Sequence, residues 1–97
     1  MMVLVTYDVS TVTNSGKKRL NNIAKICLDY GIRVQNSVFE CNVDPTQWMV
    51  LKERLLKTYD KEEDSLRFYN LGGKWDRKVE HHGVKEVPNI EKDALIV

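Results

Sequence analysis

The chain is 97 residues long, enough for one domain, with no room for a catalytic domain beside a separate recognition domain. Its 42% hydrophobic and 30% charged residues suit a soluble globular protein, and five Gly and two Cys exclude collagen-like and disulfide-dense classes. Fifteen Lys plus Arg against fourteen Asp plus Glu leave +1 at pH 7, which excludes an unstructured basic tail coating nucleic acid but not a local basic patch.

Met2 to Tyr7 is a short apolar run bounded by Asp8, Ser10, Thr11 and Thr13, which predicts a buried strand and then a loop. The run stops far short of a signal-peptide core or a membrane span, so a cytoplasmic protein without membrane contact is expected. Asn14 or Ser15 can cap a helix reaching about Tyr30, because Leu20, Ile23, Ala24 and Cys27 recur at helical spacing and Gly31 supplies a stop. Lys17, Lys18, Asn21, Asn22, Lys25 and Asp29 fall largely on the other side. Cys27 and Cys41 fit neither a CxxC redox pair nor a zinc site and read as reduced, partly buried thiols.

Ile32 to Cys41 alternates, with Ile32, Val34 and Val38 on one face and Arg33, Gln35, Ser37, Phe39 and Cys41 on the other. The polar centre Gln35-Asn36-Ser37 is compatible with one strand or with a kink between two short ones. Asp44 can then cap a helix with Pro45 in its first position and Gln47 completing a capping box, and Trp48, Leu51, Leu55 and Tyr59 form its apolar stripe. Asp60 to Asp64 reads as a loop. Ser65 to Leu71 predicts a strand closed by Gly72-Gly73, and Lys74 to His81 alternates again, with Trp75, Arg77, Val79 and His81 on one side. This order predicts a single α+β domain over residues 1–97, a ferredoxin-like βαββαβ sandwich with an extra C-terminal strand. A domain this small has a modest core, and pairing with a second copy would add buried area.

Asp8 sits just past the first strand, where ligands are often held, although a loop Asp making local turn hydrogen bonds is the plainer reading. One carboxylate cannot hold magnesium, which takes about six oxygen ligands and usually more than one anion. No second acid stands close to Asp8 in sequence, so it is either structural or shared with a second copy across a two-fold axis. Residues 17–33 carry Lys17, Lys18, Arg19, Lys25 and Arg33 against Asp29, a local net of +4, while residues 41–70 carry a net of −1. A basic zone near Asp8 is what a phosphodiester surface requires, and a solvated helix face is the alternative. Arg33, Ser37 and Phe39 offer a phosphate grip, a hydrogen-bond donor and a stacking ring, or simply the exposed side of a strand. His81 and His82, being adjacent, point to opposite faces and read as surface residues.

VLVTYDVS, RVQNSVFEC and SLRFYNL, in this order and spacing, resemble the small CRISPR-associated adaptation nucleases, the Cas-two family. The resemblance runs from Met2 to about Leu71, and its most specific parts are Tyr7-Asp8 and RVQNSVFE. It implies a ferredoxin-like homodimer in which residues 74–97 supply a strand and tail that pack on the partner. It also implies that the two Asp8 side chains share one Mg²⁺ or Mn²⁺. Tyr7, Arg33, Ser37 and Phe39 match positions near that aspartate or needed for activity. Lys17 and Arg19 are the nearest counterparts of the family's basic residues early in the first helix, and Lys17, Lys18, Arg19 and Arg33 are the expected nucleic-acid contacts. The implied activity is metal-dependent cleavage of double-stranded DNA or single-stranded RNA. The implied alternative is a structural adaptor that bridges dimers of the Cas-one integrase and holds spacer DNA.

Overall fold

The computed structural model describes residues 1–71 and 78–84. The expected Gly72-Gly73 turn, the strand positions from Lys74 to Arg77, and the tail beyond Val84 lie outside the described residues.

β1 (Met2–Asp8) is the centre of a five-stranded antiparallel sheet. The others are β2 (Gly31–Gln35), β3 (Val38–Asn42), β4 (Ser65–Asn70) and β5 (Lys78–Gly83), in the spatial order β2-β3-β1-β4-β5. Two helices, α1 (Asn14–Leu28) and α2 (Pro45–Thr58), connect β1 to β2 and β3 to β4. Because each helix joins two strands separated by one other, the first four strands and the helices make the ferredoxin-like α+β sandwich, with β5 added beside β4. This single chain lays β5 against its own β4, pairing Leu66 with His82 and Arg67 with His81.

Period-two alternation decides which face is core. Val3, Val5 and Tyr7 of β1, Phe39 and Cys41 of β3, and Leu66 and Phe68 of β4 point the same way and are buried with Ile23, Ile26 and Cys27 of α1 and Leu51 and Leu55 of α2. Leu4 and Thr6, between them on β1, remain half-buried because no described element covers the other face. Burial pushes the Cys27 thiol up to about 12 and that of Cys41 up to about 11, so both stay protonated and inert. Edge-on packing of Trp48 against Phe68, with centroids 5.0 Å apart, seats α2 on the sheet.

The start of α2 is as its sequence predicts. The Asp44 carboxylate accepts the Gln47 amide at 2.7 Å, and Gln47 Oε1 accepts the Asp44 amide at 2.9 Å. α1 differs at both ends. Its cap is Thr13, not Asn14 or Ser15, since Thr13 Oγ1 accepts the Gly16 amide at 3.1 Å and Asn14 is already helical. It ends at Leu28, and the amides of Asp29 and Tyr30 close its last turn on Ile26 and Cys27. Gly31 is not the stop but the first residue of β2. It lacks a side chain because a Cβ there would run into the Glu40 carbonyl oxygen across the hairpin.

The run from Ile32 to Cys41 is two strands and not one. β2 and β3 pair antiparallel with an irregularity between Arg33 and Gln35, and Asn36 and Ser37 form the turn. Ser37 therefore shares no strand with Phe39, and Arg33 meets Phe39 as a cross-strand neighbour. His81 and His82 take opposite faces as expected but are half-buried and not surface residues. His82 Nε2 lies 2.8 Å from Glu80, which also accepts Lys52 Nζ of α2 at 3.0 Å, so this cluster ties β5 to the helix layer.

Candidate active site around Asp8

Alternation along β1 sends its last two side chains to opposite faces. Tyr7 enters the core, and Asp8 is exposed on the far side, paired in register with Ser65 of β4. There Asp8 joins Ser10, Glu63, Ser65 and Val84 around a cleft of about 190 Å³. Glu63 is a second acid in this cleft, distant in sequence and delivered by the loop before β4. Sequence separation concealed it; the visible signal was only an acidic run leading directly into a strand.

On the core side, the Tyr7 ring stacks on Phe39 with centroids 6.1 Å apart, and the Arg33 guanidinium lies 5.1 Å from the Phe39 centroid. Tyr7 Oη donates to the Asn36 carbonyl at 3.4 Å, and the Tyr7 amide donates to the Ser37 carbonyl at 3.1 Å. Burial raises the Tyr7 pKa, and a hydrogen bond from Arg33 offsets only part of that rise, so the phenol is neutral at pH 7. Tyr7, Arg33, Phe39 and the Ser37 turn thus form one packed group that anchors the β2–β3 hairpin to the end of β1. Asp8 stands beyond the sheet from this group.

The three basic residues of α1 also separate. Lys17 and Lys18 are exposed. Arg19 turns inward: its Nε donates to Asp64 Oδ2 at 2.8 Å, its Nη2 contacts Asp64 Oδ1 and Glu63 Oε2 at 3.3 Å each, and its Nη1 donates to Ser15 Oγ at 3.2 Å. Asp64, like Glu63, is a residue that sequence reasoning missed, since composition placed both in a loop.

The oxygen donors around the cleft, two carboxylates and two hydroxyls, suit a hard cation such as Mg²⁺ or Mn²⁺. Among the described residues no three His, Cys, Asp or Glu side chains gather as a metal-holding group.

The family model described as CRISPR associated protein Cas2 matches residues 1–79. A CRISPR-associated endoribonuclease Cas2 of Chlorobaculum tepidum is 58% identical over 96 residues, covering 99% of this chain and 100% of that protein. A CRISPR-associated endonuclease Cas2 of Halalkalibacterium halodurans is 54% identical over 96 residues, covering 99% of each. Among solved structures, Streptococcus pyogenes Cas2 at pH 6.5 superposes with a TM-score of 0.70 at 59% identity, over 77% of this chain and 90% of that one.

Proposed function

The chain belongs to the CRISPR associated protein Cas2 family, and from that footing we propose that it is a nuclease that cuts phosphodiester bonds of RNA or duplex DNA as a homodimer. The observation that carries this reading is the exposed Asp8 carboxylate at the end of the central strand, in a cleft with Ser10, Glu63 and Ser65. Asp8 would hold Mg²⁺ or Mn²⁺ together with its counterpart in a second copy. Such a cation, when bound, offsets charge on the phosphate and on the departing oxygen.

The chain's own groups divide the remaining work. Exposed Lys17 and Lys18 offset backbone phosphates as point charges, and Arg33, exposed at the sheet edge, offers a two-point grip. Neutral Tyr7 holds the Asn36-Ser37 turn in place.

Support for the second copy comes from the sheet face that no described element covers, where Leu4, Ile32, Arg67, Tyr69 and His81 lie by register. Arg67 Nε and Nη2 and both ring nitrogens of His81 are shielded from solvent there with no hydrogen-bond partner among the described residues. The Arg67 N–H groups call for acceptors and the His81 ring nitrogens for hydrogen-bond partners, and a second protomer can supply them.

A second reading, favoured by the two lysines that can meet phosphate without Asp8, is an adaptor that holds a DNA duplex between dimers of the Cas-one integrase. A cleavage panel of duplex DNA, single-stranded DNA and RNA, comparing wild type with Asp8→Ala with and without chelator, separates the two. Chelator-sensitive cutting that disappears in Asp8→Ala upholds the nuclease. A wild type that cuts nothing with either cation leaves only the adaptor.

A further inference from the structure

We infer that Asp64 is a positioning residue for Asp8, acting through the Ser10 amide, and that Arg19 is its counter-charge and not a phosphate contact. The inference rests on the nuclease reading and adds the residue that sets the shape of its site.

The Asp64 side chain is wholly shielded from solvent. Its Oδ1 accepts the Ser10 amide at 3.1 Å and Arg19 Nη2 at 3.3 Å, and its Oδ2 accepts the Asp60 amide at 2.9 Å and Arg19 Nε at 2.8 Å. A carboxylate withdrawn from water persists where donors replace its hydration, and here they come from three separate segments. This is more than a cap on its own loop.

Ser10 lies on the loop that follows Asp8. Asp8 itself pairs with Ser65, the residue after Asp64. A single two-residue stretch therefore grips the loop twice, once by strand pairing at Asp8 and once by a carboxylate at Ser10. α1 closes a third side, because a Cβ at Gly16 would run into the Ser10 carbonyl oxygen, and Val9 between the two grips is buried. Held on three sides, the backbone that aims the Asp8 carboxylate has little room to swing. Arg19 commits Nε and Nη2 to Asp64, so binding a phosphate would strip a buried carboxylate of its charge partner.

The test compares wild type with Asp64→Leu, the milder Asp64→Asn, Arg19→Met, and the double variant Asp64→Leu/Arg19→Met. Cleavage is measured with kcat and KM separated, alongside thermal melting and amide hydrogen exchange. Both Asp64 single variants should lower kcat by about 10- to 100-fold, the scale of a misplaced catalytic group, with KM within about threefold. Exchange at Ser10 should rise by about tenfold or more in Asp64→Leu while Val3 and Val5 keep their protection. The double variant removes both partners of the ion pair, so its melting temperature should recover toward wild type while kcat stays low. Recovery of kcat along with melting temperature would reduce the pair to a structural tie and overturn the inference. So would an unchanged kcat in both Asp64 variants, or an Arg19→Met effect confined to KM. A wild type that cuts no substrate fails differently: it removes the nuclease reading itself, and the positioning role with it.

Discussion

Tyr7 and Asp8, adjacent on β1, stand on opposite faces of the sheet, one stacked on Phe39 in the core and the other exposed beside Ser65. Substitutions at these neighbours should therefore separate activity from stability. Asp8→Ala should lose about 100-fold or more in cleavage, roughly 3 kcal/mol of barrier, with less than about 1 kcal/mol lost in stability. Tyr7→Ala empties a core position and should lose about 3–5 kcal/mol of stability, with activity falling only as far as folded protein is lost. Chemical denaturation run beside the cleavage assay checks both. A soluble, well-folded Tyr7→Phe with no activity would contradict the structural role given to Tyr7.

Gly16 offers a test with an unusual sign. In an ordinary helix Gly→Ala raises stability by about 1 kcal/mol. Here the new methyl group meets the Ser10 carbonyl oxygen, which is backbone and held from the other side by Asp64. Gly16→Ala should lower the melting temperature and, by displacing the loop, lower cleavage as well. A stabilised and fully active variant would show that the loop yields.

Acid should loosen the protein through Asp64 and Glu80. Burial pushes the Asp64 carboxyl up, but Arg19 and the Asp60 and Ser10 amides outweigh it and hold the group below its ordinary 3.8. Glu80 is likewise held below 4.5, since His82 and Lys52 outweigh burial. A carboxyl depressed in the folded state adds stability that is complete above its unfolded value and is lost as pH falls through the folded one. Melting temperature should stay level with respect to these groups from pH 7 to about 5 and decline below about 4. Melting curves of Asp64→Asn across the same range should show a shallower acid limb, and an identical limb would exclude Asp64 as a contributor.

Lys17 and Lys18 should act through charge alone. Each neutralises at most about one phosphate, so replacing either with Ala should weaken nucleic-acid binding evenly across sequences and reduce the slope of log K against log salt by about 0.7–0.9. Arg19→Met should leave that slope unchanged, because its guanidinium is engaged with Asp64. Binding titrations at several salt concentrations distinguish the three.

Strand and helix order, the capping box at Asp44 and the position of Asp8 are legible in the residues because each follows from local periodicity or local chemistry. Three features are not. The β2–β3 turn falls in a polar triplet whose alternation suits either a strand or a break, and only pairing with β3 decides it. Thr13 precedes two other residues able to cap, and which one caps depends on how closely Ser10 lies against Gly16. Asp64 sits in a run of acids that composition assigns to water. Its burial depends on Arg19 and Ser10, both remote in the chain, and no window of neighbouring residues contains that information.

The place of β1 bears on how the molecule comes into being. Its two partners are β3 and β4, and Val3 pairs with Asn70, almost the full described length away. A chain emerging from the ribosome cannot close its central strand on both sides until residues 65–70 are free, at some 5–20 residues per second. Until then Val3, Val5 and Tyr7 have only one neighbour strand, and the open edge of β1 is available to any passing β-segment. With so much of its sheet built from distant pairings, folding is expected in the slower millisecond range for a domain of this size. The half-made chain, more than the finished protein, is the form most exposed to misassembly.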